Sequence, residues 1–212
     1  MQVGRKPDGR RQSDIADAIL RVAGREGIGA LTMERLGREL GVTSGALFRH
    51  FPSRASMLNE AARLAVTRLE ATFPPASLPP LERLRQLLAA RSRLAAEHGG
   101  IPQLVFSEQF GKALPPTGAR AVRAVVLRTR DFVVEALREA GARGEVRRDI
   151  PAEELALAVI GTVFARALFA AFTAGEGRMP QPDVQARWDN LVRLLAPPTP
   201  ASAPLSDQGA KP

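Results

Sequence analysis

Two short helices joined by a three-residue turn constrain the fold of this chain most. Thr32 can cap a helix over 33–40, and Thr43 can cap a second helix over 44–50. Only Gly41, Val42 and Thr43 separate them, and Gly41 stands where a helix commonly ends. The resulting sharp corner can be buried through apolar side chains on both helices and on the preceding one: Ile15, Ile19, Leu36, Leu40, Val42, Leu47 and Phe51.

The rest of the chain is also expected to be helical. Tyr is absent, and Ala, Leu, Arg and Glu dominate the stretches between Gly and Pro, which favours helix over strand. Apolar residues recur at helical spacing and predict an all-α fold of about nine helices. These cover 13–26, 33–40, 44–50, 53–72, 81–98, 102–111, 117–141, 152–173 and 183–195.

Composition disfavours several classes of function. The chain has no Cys, and its two histidines, His50 and His98, are far apart in the sequence, so no metal site and no cofactor are expected. A nucleophile elbow, a phosphate-binding loop and a dinucleotide fingerprint are all absent from the sequence, so we do not expect an enzyme. The N-terminus shows no signal-peptide pattern, and we expect a cytoplasmic, nucleoid-associated protein.

The helix over 44–50 has the features of a DNA-reading helix. A helix-turn-helix places its second helix in the major groove, which is about 12 Å wide. Ser44, Gly45 and Ala46 are small enough for the helix end to approach base edges and phosphates closely. The net charge of +8 is compatible with a polyanionic partner but gives only weak support.

The segment from Ile15 to Leu58 resembles the DNA-binding region of the tetracycline-repressor (TetR) family, without a gap. It includes Leu31-Thr32-Met33-Glu34-Arg35-Leu36-Gly37-Arg38-Glu39-Leu40-Gly41-Val42-Thr43-Ser44-Gly45-Ala46-Leu47-Phe48-Arg49-His50-Phe51-Pro52. The resemblance implies an all-α dimer that binds a palindromic operator in double-stranded DNA. It also implies DNA contacts at Thr32, Thr43, Ser44, Gly45, Ala46, Phe48, Arg49, His50 and Arg54.

The implied roles differ along this segment. Thr32 would touch phosphate at the start of its helix, residues 43–46 would lie at the groove with Phe48 and Arg49 after them, and His50 and Arg54 would meet the DNA backbone. Without the resemblance, these residues have other possible roles. Phe48 can belong to the core, His50 can be a capping or surface histidine, and Arg49 can lie on a solvated face.

Four positions depart from the family pattern. Phe48 replaces the usual Tyr and loses a hydroxyl that bonds phosphate, and Arg54 replaces the usual Lys. Ala23 stands where Phe is common, and Gly37 where Ala is common, which indicates either closer or looser helix packing.

A basic segment precedes the first helix. Arg5, Lys6, Arg10 and Arg11 form either a frayed terminus or an arm that reaches phosphates or the minor groove. With this arm, residues 1–58 are expected to form the DNA-binding domain. Residues 59–196 would form a larger helical domain for ligand binding and dimerisation, and 197–212 a disordered tail.

The C-terminal part contains a nearly apolar segment over 155–174. Arg166 lies near its middle and argues against a membrane span. By resemblance, helices over 152–173 and 183–195 form the homodimer interface, where small residues allow close approach. Candidates for an apolar ligand pocket are Gln103, Phe106, Phe110, Phe132, Phe164 and Phe172. Aromatic residues at helical spacing are more often plain core, so the phenylalanines have that alternative.

Two functional hypotheses follow. The first is a dimeric repressor that a small, largely apolar ligand releases from its operator. The second is a DNA-binding dimer whose C-terminal domain binds a protein partner in nucleoid or division control. An apolar cavity with a few inward polar groups would favour the first, and a solid core with an exposed apolar patch would favour the second.

Overall fold

The computed structural model describes residues 8–172 and 183–198, with the side chains of 8–13, 103, 163 and 166–172 left aside. Every regular element in these two ranges is a helix, as the sequence predicts. The described residues form ten α-helices and one short 3-10 turn at Ile28–Ala30. The α-helices are α1 (Asp8–Glu26), α2 (Met33–Leu40), α3 (Ser44–Phe48), α4 (Arg54–Glu70), α5 (Pro80–Glu97), α6 (Gly100–Phe106), α7 (Glu108–Ala113), α8 (Pro116–Ala142), α9 (Ala152–Phe172) and α10 (Val184–Leu195).

Side-chain caps set the bounds of the short N-terminal helices. Thr32 Oγ1 accepts a hydrogen bond from the Arg35 amide at 3.0 Å, and Thr43 Oγ1 accepts one from the Ala46 amide at 3.2 Å. Gly41 ends α2 with φ 66°, a left-handed conformation that suits glycine. The predicted bounds of α2 are confirmed, whereas α3 ends at Phe48, one or two residues before the predicted end at Arg49 or His50.

The turn between α2 and α3 packs through its backbone. The Val42 amide donates to Gly37 O at 2.9 Å, and a Cβ on Gly37 would lie 2.7 Å from Val42 O. The glycine at position 37 therefore allows closer packing, which resolves the alternative that the sequence leaves open. Because the backbone of the turn faces α2, the Val42 side chain is 44% exposed, and the prediction that it packs inward was wrong.

Other predicted core residues of the N-terminal part are confirmed. Ile15, Ile19, Leu36, Leu47 and Phe51 are buried in one hydrophobic cluster, and Leu40 packs against it half-buried. This cluster continues into α6, α7 and the first half of α8. A second cluster joins α5, the second half of α8, α9 and α10 around Trp188.

The first helix begins earlier than expected, at Asp8 rather than 13. Arg10 and Arg11 are therefore part of α1, not of an arm that precedes it, while Arg5 and Lys6 lie outside the described residues. The predicted tail falls outside the described part of the chain from residue 199 onward.

The predicted helix over 102–111 is two helices. Ser107 separates α6 from α7, and its hydroxyl accepts from the Phe110 amide at 3.2 Å, so the serine caps a new helix instead of continuing the old one. Within 8–172 and 183–198, no helix has the length and apolar character needed to cross a bilayer.

Candidate functional sites: a nucleic-acid interface and an apolar cavity

Helix α3 and its two capping residues, Thr43 and Arg49, carry six of the nine residues predicted to touch DNA. Leu47 is buried, whereas the neighbouring Phe48 ring is 51% exposed and Arg49 is also exposed. The structure thus places Phe48 on the surface rather than in the core. None of the nine predicted contact residues is buried: Thr32, Thr43, Gly45, Phe48, Arg49 and Arg54 are exposed, and Ser44, Ala46 and His50 are half-buried.

The two capping threonines keep a donor for a further partner. Each Oγ1 of Thr32 and Thr43 accepts a backbone hydrogen bond, so each hydroxyl proton is available to donate outward. Both side chains stand at helix N-termini, where unpaired backbone amides and the helix dipole favour anions. The same residues can therefore end the helices and bind phosphate.

Arg54 also has an internal contact. Its Nη2 donates to the Ile28 carbonyl oxygen at 2.9 Å, which ties the start of α4 to the 3-10 turn. This bond uses one of the five donors of the guanidinium group. The exposed side chain is thus held at the surface next to α3 with donors left for an anion.

An ion-pair network fixes α2 against α1. Glu39 accepts from Arg25 through both carboxylate oxygens at 2.9 Å and from Arg35 at 3.1 Å. Arg35 also binds Glu26 through two bonds of 2.9 and 2.5 Å, and this hydrogen bonding lowers the pKa of the Glu26 carboxyl. A single exposed ion pair contributes little to the stability of a fold, but a network of bidentate contacts restricts the orientation of α2.

A cavity of about 220 Å³ lies where five helices meet in the C-terminal part. Its walls come from α4, α5, α6, α8 and α9, and they are almost entirely apolar. Three of its residues, Phe106, Val126 and Leu157, are large apolar side chains that remain exposed, so the opening is apolar as well. The lining residues are Leu69, Arg91, Leu94, Ala95, Ile101, Pro102, Val105, Phe106, Val125, Val126, Thr129, Arg130, Leu157, Ile160 and Phe164.

The structure brings together some of the predicted pocket residues. Phe106 and Phe164 line the cavity with ring centroids 3.9 Å apart. Phe110 lies in the N-terminal cluster instead, because the break at Ser107 puts it on α7. Phe132 packs in the second cluster, edge-on to Phe73 at 5.3 Å. Two further candidates, the side chains of Gln103 and Phe172, fall outside the described residues.

Arg91, Thr129 and Arg130 are the polar residues of the cavity that sequence reasoning missed, and the first two are bonded to each other. Arg91 Nη2 donates to Thr129 Oγ1 at 3.0 Å, and the Thr129 hydroxyl donates to Val125 O at 2.7 Å. A signal was present in the sequence, because Arg91 continues the apolar stripe of α5 at helical spacing after Leu84, Leu87 and Leu88. An arginine on the buried side of an amphipathic helix marks either a buried ion pair or a ligand site.

One wall of the cavity touches the N-terminal part that carries the helix-turn-helix. Gly100 begins α6 against α1, so close that a Cβ on Gly100 would lie 1.8 Å from Leu20 O. Gly24 of α1 is also close, since a Cβ there would lie 2.9 Å from Gly100 Cα. The next residue along α6, Ile101, lines the cavity.

A second link joins α4 to α1. Arg68 forms a bidentate ion pair with Asp17, in which Nη2 donates to Oδ2 at 2.8 Å, and Arg68 Nη1 lies 3.3 Å from His98 Nδ1. His98 closes the C-terminus of α5 just before α6. Helices α1 and α4 and the C-terminal end of α5 therefore meet at one polar cluster between the two candidate sites.

Comparison with known proteins agrees with this architecture. Residues 15–61 match the family model of bacterial regulatory proteins of the tetR family. A comparison with curated protein sequences gave no significant match.

Solved structures share the fold over almost the whole chain. The ketosteroid transcriptional regulator KstR2 of Mycobacterium tuberculosis is 19% identical, with 92% of this chain and 97% of that chain covered and a TM-score of 0.74. AibR, solved with isovaleryl coenzyme A and operator DNA, is 17% identical, with 89% and 100% covered and a TM-score of 0.70. The regulator PfmR of Thermus thermophilus is 22% identical, with 84% and 97% covered and a TM-score of 0.67.

The exposed helix-turn-helix, together with the family match over the same residues, is that of a DNA-binding transcriptional regulator. The match to the tetR family covers residues 15–61, and beyond them the likeness to solved structures is one of fold.

Proposed function

We propose that the chain is a homodimeric repressor that acts on chromosomal DNA in the cytoplasm and leaves its operator when a small, largely apolar ligand fills the cavity. The observation that carries this proposal is the position of α6. It forms one wall of the cavity and packs, at Gly100, against the backbone of α1 in the DNA-binding part. A ligand that moves α6 must therefore also move α1.

The proposed DNA contacts divide into two kinds. Thr32, His50 and Arg54 bind phosphates and set the position of the dimer on the duplex. Residues 43–46 approach the base edges, and Arg49 reads them, because an exposed guanidinium can bond guanine in the major groove. Phe48 contributes an apolar ring contact. A palindromic operator would place two α3 helices about 34–36 Å apart, one turn of the duplex.

Helix α4 provides a second route from the ligand to the DNA. It begins at Arg54, close behind α3, and its residue Leu69 lines the cavity about four turns further on. Asn59 of the same helix accepts from the Gly118 amide at 3.0 Å, which fixes α4 to α8. Ligand contacts on Leu69 can thus change the angle of α4 and the spacing of the two α3 helices, which favours a state with low operator affinity.

We also propose that dimers form through α9 and α10. Leu194 on α10 is 71% exposed, and Ala158 and Ala165 on α9 are exposed small residues. An exposed leucine on α10 and exposed small residues on α9 suit a helix–helix interface that needs close approach. The cavity favours a ligand-controlled dimer over one controlled by a protein partner, because the C-terminal part has space for a small molecule in its core.

The test is selection of bound sites from genomic DNA, followed by displacement from the selected site. We expect a palindrome, and we expect small apolar compounds to lower the affinity of the complex. A fluorescence-anisotropy titration with labelled operator measures both properties. Binding that is insensitive to every compound that occupies the cavity would contradict the proposed release.

A further inference from the structure

The buried guanidinium of Arg91 faces a cavity with no described anion beside it. We propose that the cavity binds a small apolar molecule with one carboxylate, and that Arg91 is the anchor of that carboxylate. The proposal rests on the proposed ligand-binding role of the cavity, and it names the chemical class of the ligand.

Arg91 has no counter-charge among the described residues. Its side chain is 6% exposed, its Nε has no hydrogen-bond partner there, and no described carboxylate forms an ion pair with it. The negative charge of Glu70 acts on Arg91 from a distance, but Glu70 is already paired with Arg128. Burial lowers the pKa of Arg91 to about 10, so the group still carries its charge at neutral pH. A buried charge without a partner is costly, and an anionic ligand removes that cost.

Arg83, two turns earlier on α5, shows the ordinary arrangement. It is 4% exposed, as buried as Arg91, and its Nε also lacks a hydrogen-bond partner, but its Nη2 pairs with the carboxylate of Glu139 on α8. The same helix therefore holds one buried arginine with an internal carboxylate and one without. The difference is that Arg83 faces a carboxylate, whereas Arg91 faces the open space of the cavity.

The end of Arg91 is held at the cavity wall. Thr129 accepts from its Nη2, and because the Thr129 proton is committed to Val125 O, the threonine can only act as acceptor there. The guanidinium also lies over the Phe73 ring, 5.4 Å from its centroid. These contacts orient the group before a ligand arrives, which reduces the entropy cost of binding.

A neighbouring cavity of about 20 Å³ shares Arg91, Thr129, Ile160 and Phe164 with the larger one. It has room for one water. A water molecule can accept a hydrogen bond from the guanidinium, but it cannot balance the charge. The need for an anion therefore remains.

The volume limits the size of the ligand. An apolar cavity of about 150 Å³ accepts benzene, and this one measures about 220 Å³. An aromatic ring or a short alkyl chain with a carboxylate fits that space. Phe106 and Phe164 would contact the apolar part while Arg91 binds the acid group.

The test compares acids with their neutral amides on the full-length protein. Hexanoate, octanoate and phenylacetate are each titrated beside the matching amide by isothermal calorimetry. We expect at least one acid to bind at least about tenfold more tightly than its amide, because only the acid forms a charged bidentate bond with arginine. Equal affinities for all three pairs, or no binding by any acid, would overturn the proposal.

Variants assign the effect to Arg91. Arg91→Met should weaken acid binding by about 30-fold or more and leave the amide unchanged, and Arg91→Lys should retain part of the acid preference. Arg93→Met, which removes an exposed arginine two residues away, is the matched control. Loss of the acid preference in Arg93→Met but not in Arg91→Met would also overturn the assignment. The acid–amide comparison on the unmodified chain needs no variant to fold.

Titration of the same compounds into the operator complex separates this inference from the repressor proposal. Acids that bind but leave DNA affinity unchanged would support the carboxylate site and refute ligand-controlled release. If neutral compounds release the DNA and none of the acids binds, the result would support ligand-controlled release and refute the carboxylate site.

Discussion

Gly100 and Leu20 are in closer backbone contact than any residue with a side chain would allow: a Cβ on Gly100 would lie 1.8 Å from Leu20 O. The contact joins α6 to α1. The absence of a side chain at residue 100 is therefore a structural requirement of the proposed path between the two sites.

Gly100→Ala is expected to lower the free energy of unfolding by about 1–3 kcal/mol, because α6 must move away from α1 to make room for the methyl group. Gly99→Ala is the matched control, since a Cβ there meets nothing within 4 Å. Urea denaturation of both variants measures the difference. Equal stability of the two would show that the close approach at residue 100 is not needed.

Phe48→Tyr is expected to strengthen operator binding by about tenfold, because an exposed hydroxyl on α3 can donate to a phosphate. Fluorescence anisotropy at fixed salt measures the change. Leu127→Tyr places a hydroxyl on the exposed side of α8, away from α3 and the cavity, and should leave DNA affinity unaltered. A Phe48→Tyr variant with unchanged affinity would argue that this ring does not approach the DNA backbone.

Arg54→Ala is expected to weaken binding to operator and to unrelated DNA alike and to reduce the slope of log affinity against log salt by about one unit. Arg49→Ala should weaken binding to the operator more than binding to unrelated DNA. Arg93→Ala, exposed on α5, serves as control. A loss of affinity in Arg54→Ala at constant slope would assign its effect to the lost Ile28 contact instead.

Leu194→Glu is expected to raise the dimer dissociation constant by more than about tenfold, because the proposed interface would bury the new charge. Sedimentation velocity over a range of protein concentrations reports the change. Leu127→Glu introduces the same charge at an exposed leucine of α8 and should leave the dimer intact. A monomeric parent protein at micromolar concentration would rule out the proposed dimer.

Glu82 gives a prediction for pH. Hydrogen bonds from Arg85 and Gln86 lower its pKa to about 2. Since the folded pKa lies below the ordinary value of 4.5, the ionised carboxylate stabilises the fold above about pH 4.5, and this contribution is lost as the pH falls toward 2. Glu82→Gln should thus be less stable than the parent at pH 7, with a difference that shrinks as the pH falls from about 4.5 to 2.

Denaturant unfolding at several pH values measures that difference. Glu97→Gln, at the exposed opposite end of α5, is the control for removing a negative charge from this helix. A stability difference for Glu82→Gln that stays constant down to about pH 3 would mean that ionised Glu82 does not stabilise the fold.

The N-terminal part was predictable because its signals are local. Thr32, Gly41, Thr43 and Ser53 act on backbone groups within three or four residues, so the caps and the turn can be identified from spacing alone. Val42 was misjudged because its apolar character suggested burial, whereas the backbone contact with Gly37 decides its direction.

The cavity was less predictable because it depends on which helices meet. Phe106 and Phe110 are four residues apart, and helical spacing alone puts them on one face. The cap at Ser107 separates them into different helices, so only Phe106 reaches the cavity. Arg91 was overlooked because a basic residue in a helix is usually solvated, and its burial depends on distant α8 and α9.

The double use of α4 has a thermodynamic consequence. This helix starts beside α3 and supplies Leu69 to the cavity, so occupancy of the two sites would be coupled in both directions. If a bound molecule lowers operator affinity by some factor, operator DNA must lower affinity for that molecule by the same factor. The free protein would then respond at a lower concentration than the protein on its promoter, and the number of operators in the cell would help set the threshold of induction.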